Sequence, residues 1–336
     1  MLKRQLITAL LLLAFMAGCR AVDQPPGNPS GEGEQEGVLR TVSLQLNWFP
    51  EAEHGGYYAA LLSGYYEEEG LNVEILPGGP GAGVIQKTAE QQVTFAVANA
   101  DQVLLGREQQ AEVVALMAPL QSSPRCIMVH ADSDIEDFSG LKGMTVAMGS
   151  GKAYAQFMEK QGLLEGVQVV AYSGSVARFL ERKDFAQQGY VFSEPFVAQQ
   201  QGASTRNLMV SDLGFNPYTS ILVTSNQQLE KDRDLVHRMV RASIRGWQQY
   251  LEDPAAVNEH IHSVNEQMSL EILDFGVEQL KPLCLPDGMS AGELGQMTAE
   301  RWDTLAGQLR SIDLLGESVR ASDAYYLGGL PAPQQD

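Results

Sequence analysis

The sequence predicts an α/β protein built as two units. Short apolar strands alternate with amphipathic helices along most of the chain, the pattern of layered α/β construction. About 300 residues follow Val38, enough for two domains of ordinary size. A strand at Ser220 to Thr224 brings the chain back after the second unit has been laid down.

Each element follows from its local pattern. Thr41 to Leu46 alternates apolar and polar residues as a half-buried strand does. From Gly55 to Glu69, Tyr58, Leu61, Leu62 and Tyr65 fall at helical spacing, with Gly70 as the stop. Leu71 to Leu76 is the next strand, and the loop Gly78-Gly-Pro-Gly-Ala-Gly83 opens onto a helix. Val93 to Ala98 and Val113 to Met117 are further strands, and Arg125 to Val129 reads as a buried one. A second unit starts near Asp132, with strands at Met144 to Met148, Val167 to Ala171, Gly189 to Phe192 and Arg206 to Val210. Gly149-Ser-Gly-Lys152 leads into a helix ending near Lys160, and Glu194-Pro195 opens another. After the returning strand, the helix from Asp232 to Leu251 buries Val236, Val240, Ile244, Trp247 and Leu251. Its basic side, with Arg233, His237, Arg238, Arg241 and Arg245, reads as a solvated face.

The first residues point to export. Lys3 and Arg4 precede an apolar run from Leu6 to Ala17, which is too short to span a membrane. The run ends in Met16-Ala17-Gly18-Cys19, which resembles the bacterial lipobox and implies a lipid on the Cys19 thiol. Residues 1–18 would then be a signal peptide and residues 19–39 a flexible tether, rich in Pro, Gly, Glu and Gln. Together they place the protein in the cell envelope, membrane-anchored on the extracytoplasmic side. Cleavage after Gly18 removes two basic residues and takes the net charge from −19 to −21, which excludes nucleic acid as a partner. Cys126 and Cys284 remain, one disulfide at most, and Cys126 reads as a buried structural thiol.

Several blocks resemble the NMT1/THI5-like proteins. They are Leu44-Gln-Leu-Asn-Trp-Phe-Pro50, His54-Gly-Gly-Tyr-Tyr-Ala-Ala60, Gly64-Tyr-Tyr-Glu-Glu-Glu-Gly-Leu-Asn-Val-Glu74, Asp137-Phe-Ser-Gly-Leu-Lys-Gly143, Ser193-Glu-Pro-Phe196 and Gly214-Phe-Asn-Pro-Tyr218. The resemblance implies a type II periplasmic binding protein fold, with two lobes, a hinge and an interlobe cleft. Residues 40–130 plus 220–310 would form lobe 1, residues 131–219 lobe 2, and residues 311–336 a C-terminal extension. It also implies a small-molecule ligand, an ABC permease with its ATPase as partners, a monomer, and neither cofactor nor metal.

Ligands of open α/β sheets gather at the carboxyl ends of strands, which selects the candidates. Asn47 offers a donor and an acceptor, and Trp48 a plane for a flat ring, or else a core side chain. Glu51, His54 and Tyr57 follow on the next turn, where His54 is either a ligand donor or a surface residue. Asn99 and Asp101 follow a strand end, and Asp101 serves equally as a helix cap. Gly149, Ser150 and Lys152 offer backbone N–H groups to an anion or form an ordinary turn. In the resembling pyrimidine-binding members an acidic residue near Glu194 bonds an aminopyrimidine, which makes Glu194 the leading polar contact. Phe192, Asn216 and Tyr218 complete the expected cleft walls.

Enzyme readings find little support. The stretch around Gly149 lacks the spacing of a phosphate-binding loop, and position 84, a valine, breaks a dinucleotide glycine pattern. His260 and His262 do not share a helix face, and no cysteine cluster stands beside them. The family's yeast pyrimidine synthases carry a cysteine-rich iron-binding motif that two body cysteines cannot supply. Three ligand classes compete: a thiamine pyrimidine precursor, a riboflavin-type ring with Tyr57 and Tyr58 as walls, and a sulfonate or nitrate. A carboxylate at Glu194 inside the cleft counts against the anions.

Overall fold

The computed structural model describes residues 39–330. The lipidation site and nearly all of the expected tether lie outside them. The first strand, β1 (Arg40–Gln45), leads through a single 3-10 turn (Ala52–His54) into α1 (Gly55–Leu62) and the short α2 (Tyr65–Glu68). The sequence pattern predicts one helix here, but Gly64 takes a left-handed φ of 73° and divides it. Next come β2 (Leu71–Leu76), α3 (Val84–Ala89), β3 (Phe95–Ala98), α4 (Ala100–Glu108) and β4 (Val113–Met117).

The chain then crosses to a second sheet. It contains β5 (Arg125–His130), β6 (Thr145–Met148), α5 (Ala153–Lys160), β7 (Gln168–Ala171), α6 (Ala177–Glu181), β8 (Phe185–Tyr190), α7 (Glu194–Gln200) and β9 (Thr205–Met209). The return strand β10 (Ile221–Ser225) is followed by α8 (Asn226–Lys231), α9 (Arg233–Glu252), α10 (Ala255–Val264), α11 (Leu270–Cys284) and α12 (Ala299–Ser311).

The two sheets share one plan. The first has the order β2-β1-β3-β10-β4 and the second β7-β6-β8-β5-β9. In each, three parallel strands are joined by an antiparallel strand that enters from the other half of the chain. The crossings therefore run at 118–124 and 210–220, and they act as the hinge. This moves the expected lobe boundary: β5, placed in lobe 1 by the sequence reading, pairs with β8 and β9 in lobe 2. Residues after 311 also differ from a simple extension. Ala115 N donates to Ala324 O (2.9 Å) and Tyr326 N to Ala115 O (2.8 Å), so the tail closes the β4 edge.

Lobe 1 is fixed by α9 crossing α1. Glycines 55, 56 and 246 let the helices touch: a Cβ on Gly246 would sit 2.2 Å from Gly56 O. Trp247 and Tyr250 fill the space above Gly56 and Gly55, both fully buried. The basic side of α9 is less free than its pattern predicts. Arg241 pairs with Glu69 at 2.6 Å, Arg245 pairs with Glu68 at 2.7 Å, and Arg238 donates to Glu69 O at 2.8 Å, clamping α2. Cys126 and Cys284 are unpaired and buried, as expected for structural thiols. No helix among the described residues is long and apolar enough to cross a membrane.

Candidate functional site

The site begins where β1 ends. Gly78 packs against this turn so closely that a Cβ would lie 2.3 Å from Leu46 O. Its N–H donates to Trp48 O at 2.9 Å, which fixes the turn. Trp48 and Phe49 project from it, 37% and 45% exposed, with their rings edge to face at 5.6 Å. Two large aromatic side chains left in water beside a cleft form a ready stacking platform.

Behind them lies a buried polar chain. His54 Nδ1 accepts from Glu51 N (3.3 Å), a pure donor, so the proton of the neutral ring sits on Nε2. Nε2 donates to Asn47 Oδ1 at 2.8 Å, which turns Asn47 Nδ2 toward Glu53 Oε1 at 3.3 Å. Ser220 Oγ donates to Glu53 Oε2 at 2.8 Å, while Tyr57 OH donates to Ser220 O at 2.9 Å. Ser220 N donates to Asn99 Oδ1 at 3.3 Å. Three anchors hold Ser220 at a φ of 54°, a conformation that non-glycine residues seldom take.

Burial sets the charges. It holds the His54 imidazole neutral, with its pKa lowered to about 3. It lifts Glu53 to about 7 against the hydrogen bonds from Ser220 and Asn47. Glu51 is raised well above the usual carboxylate range by burial, then by the negative fields of Glu53 and Glu194.

Lobe 2 faces this cluster with opposite chemistry. Arg125, the first residue of β5, donates from Nη2 to Tyr190 OH at 2.9 Å. Its guanidinium lies over the rings of Tyr190 (4.5 Å) and Tyr154 (4.7 Å). Tyr190 OH also accepts from Asn99 Nδ2 of lobe 1, at 3.4 Å. Glu194 opens α7, where the helix start favours a carboxylate. Its Oε2 accepts from Tyr190 N at 2.8 Å and its Oε1 from Tyr172 OH, leaving further lone pairs on both oxygens.

The expected residues divide. Asn47 and Glu51 belong to the turn that carries Trp48 and to the buried polar chain beside it, and Glu51 feels the charge of Glu194 from the other lobe. Asn99, Asp101 and Lys152 line a cavity of about 210 Å³ between the lobes. Others differ from expectation. His54 is fully buried with both ring nitrogens engaged, so it orients Asn47 instead of meeting a ligand or the surface. Tyr57, Phe192 and Tyr218 lie in the core, since their rings complete apolar clusters. Tyr58 is buried as well, which removes the two expected walls for a flavin. Asn216 Oδ1 accepts from Ser123 N (2.7 Å), tying the two hinge crossings together. Gly149 N donates to Gln188 Oε1 (2.8 Å) and is already engaged, while Ser150 is exposed on the turn. The sequence reading missed Glu53, Arg125, Tyr172, Tyr190 and Ser220. Glu53 stood between two candidates, and a charged residue opening an apolar strand was the available signal for Arg125.

Two five-stranded sheets, each completed by the other half of the chain, with a polar cleft at the hinge, define a two-lobed periplasmic binding protein fold. Residues 51–257 match the NMT1/THI5 like family, and the chain belongs to it. It is 26% identical over 331 residues to the formylaminopyrimidine-binding protein of Halalkalibacterium halodurans, covering 96% of this chain and 97% of that protein. It is 25% identical over 272 residues to the riboflavin-binding protein RibY of Chloroflexus aurantiacus, covering 76% of each. The periplasmic aliphatic sulphonate binding protein SsuA of Escherichia coli shares the fold, with a TM-score of 0.68 at 12% identity over 88% of this chain and 96% of that one.

Proposed function

We propose that this protein is the extracytoplasmic solute-binding lipoprotein of an ABC importer, anchored through Cys19. It captures a small amine-bearing heteroaromatic such as a thiamine pyrimidine precursor and passes it on unchanged. One observation carries the reading: Glu51 and Glu53 of lobe 1, buried on the turn that follows the exposed Trp48, lie close enough to Glu194 of lobe 2 to feel its charge. Carboxylates accept from ring-borne amines, and a carboxyl group kept protonated by burial donates to a ring nitrogen. Trp48 stacks on the ring face. A carboxylate at Glu194 disfavours sulfonate and nitrate. The formylaminopyrimidine-binding relative, similar along nearly its whole length, supports the same class of ligand.

A ligand-binding screen tests this. Thermal unfolding is followed with aminopyrimidines, thiamine, riboflavin, alkanesulfonates and nitrate. A true ligand at 100 times its Kd stabilises by about 2.7 kcal/mol. The expected result is a shift with an aminopyrimidine that disappears in Trp48→Ala and in Glu194→Ala. A shift only with anions refutes the ring reading, and conversion of the recovered ligand refutes the non-enzymatic one.

A further inference from the structure

An apolar contact also joins the lobes. The α7 helix of lobe 2 meets α11 of lobe 1 where the rings of Phe196 and Phe275 stack, with centroids 4.8 Å apart and planes 25° from parallel. Each helix is held by its own lobe. Leu273 and Val277 of α11 are buried in the lobe 1 core, and Gln121 N and Ser122 N of the first crossing donate to Leu283 O at 2.8 and 3.0 Å. Ala198 of α7 is buried under the second sheet, and Glu194 accepts from Tyr190 N. Gly276 lets the lobes approach here: a Cβ on it would lie 2.7 Å from Ala52 Cβ and 3.5 Å from Phe192 O. The contact therefore adjoins the turn of Glu51 and Glu53 on one side and Glu194 on the other. Phe275 precedes Leu283 by eight residues, about 12 Å along the helix, so rotation about the crossing parts the two rings.

We infer that the Phe196–Phe275 contact is a latch that holds the closed form of the empty protein. The inference rests on the two-lobed fold and not on the ring reading above. Closing the lobes takes both rings partly out of water and stacks them, and opening returns them to it. That gain stands against the cost that Glu194 imposes on the carboxyls of lobe 1. With the two opposed, the empty protein sits near balance between open and closed. A protein near balance is shifted by a ligand whose affinities for the two forms differ only modestly. The latch therefore tunes how much discrimination the cleft must supply.

Distances between the lobes of the ligand-free protein test the inference. Spin labels go on Gln200→Cys of α7 and Glu259→Cys of α10, both exposed and one in each lobe, while the buried Cys126 and Cys284 stay unlabelled. Pulsed electron paramagnetic resonance then reads the open and closed populations, and the outcome does not depend on which ligand the cleft takes. Phe275→Ala should raise the ratio of open to closed molecules by about tenfold, the scale of a lost aromatic pair with its buried area. Phe196→Ala should do the same, and the double variant should open no further than either, since the two rings form one contact. Phe275→Leu, which keeps an apolar side chain, should fall between and carries the test if an alanine variant does not fold. A distribution unchanged by loss of either ring overturns the inference, even where Tm falls. So does an open form already dominant in the unaltered protein, or effects of the two rings that simply add.

Discussion

Replacing Glu53 by Gln isolates one strongly perturbed proton of the carboxylate cluster. Unfolded, Glu53 loses its proton near pH 4.5; in the folded protein burial holds it until about pH 7. Between those values the folded state carries the extra proton, so stability from this group falls as pH rises. At 1.36 kcal/mol per unit, the interval of roughly 2.5 units is about 3 kcal/mol. His54 slopes the other way. Its folded pKa of about 3 lies below the ordinary 6.5, so its stability is present above pH 6.5 and lost as pH falls toward 3. From pH 4.5 to 6.5 the two slopes cancel in the unaltered protein. Glu53→Gln keeps the shape, and the Ser220 hydroxyl can rotate to meet either end of the new amide. The variant should therefore gain about 3 kcal/mol over the unaltered protein between pH 4.5 and 8, beyond any constant offset. For a body of this size that is about 5 °C in Tm. Because Glu51 feels the field of Glu53, both proteins carry Glu51→Gln, and melting them across this range then reads the difference directly. A difference that stays constant with pH refutes the buried, protonated Glu53.

Two further predictions concern the frame around the site. Gly246→Ala should destabilise by about 3 kcal/mol, because the new Cβ meets Gly56 O at 2.2 Å and Ala60 N at 2.5 Å. Helix propensity alone predicts a gain of about 1 kcal/mol, so the sign of the Tm shift decides between packing and propensity. Cys126 and Cys284 are fully buried with thiol pKa values pushed up by desolvation, so a thiol reagent should label neither in the native protein and both after unfolding.

Much of the frame is legible in the sequence because it is written locally. The strand at Leu71–Leu76, the strand at Val113–Met117 and the long helix at Arg233–Glu252 appear where their periodicity puts them. The strand at Phe185–Tyr190 does not. Its central Gln187 and Gln188 break the apolar pattern, yet Gln187 is buried and Gln188 is spent on Gly149 and Tyr154. The placement of β5 in the second sheet depends on pairing with strands about sixty and eighty residues later, which no local window contains. The site shows the same division. Asn47 and Trp48 follow from a strand end and a turn. Glu53 depends on Ser220, 167 positions away, and only the closed fold explains why a glutamate there can be buried.

The distribution of charge between the lobes bears on how the proposed capture works. Glu51 and Glu53 belong to one lobe and Glu194 to the other, and each glutamate of lobe 1 feels the field of Glu194. Bringing the lobes together without a ligand sets Glu194 against carboxyls that escape repulsion only by holding protons, and holding them costs free energy above their ordinary pKa range. The direct polar contact between Asn99 Nδ2 and Tyr190 OH is long, at 3.4 Å, and weak. Closure of the empty protein is thus opposed at the carboxylate end, against the apolar contact of Phe196 with Phe275 across the lobes. A ligand whose amines lie among the carboxylates replaces repulsion with hydrogen bonds that form fully only when both lobes contribute. Its affinity for the closed state exceeds that for the open one, which is the condition for a ligand to shift the population at all. An anion at the carboxylate end adds to the repulsion and favours the open form. The acidity that argues for an amine-bearing ligand is therefore also what couples its binding to closure.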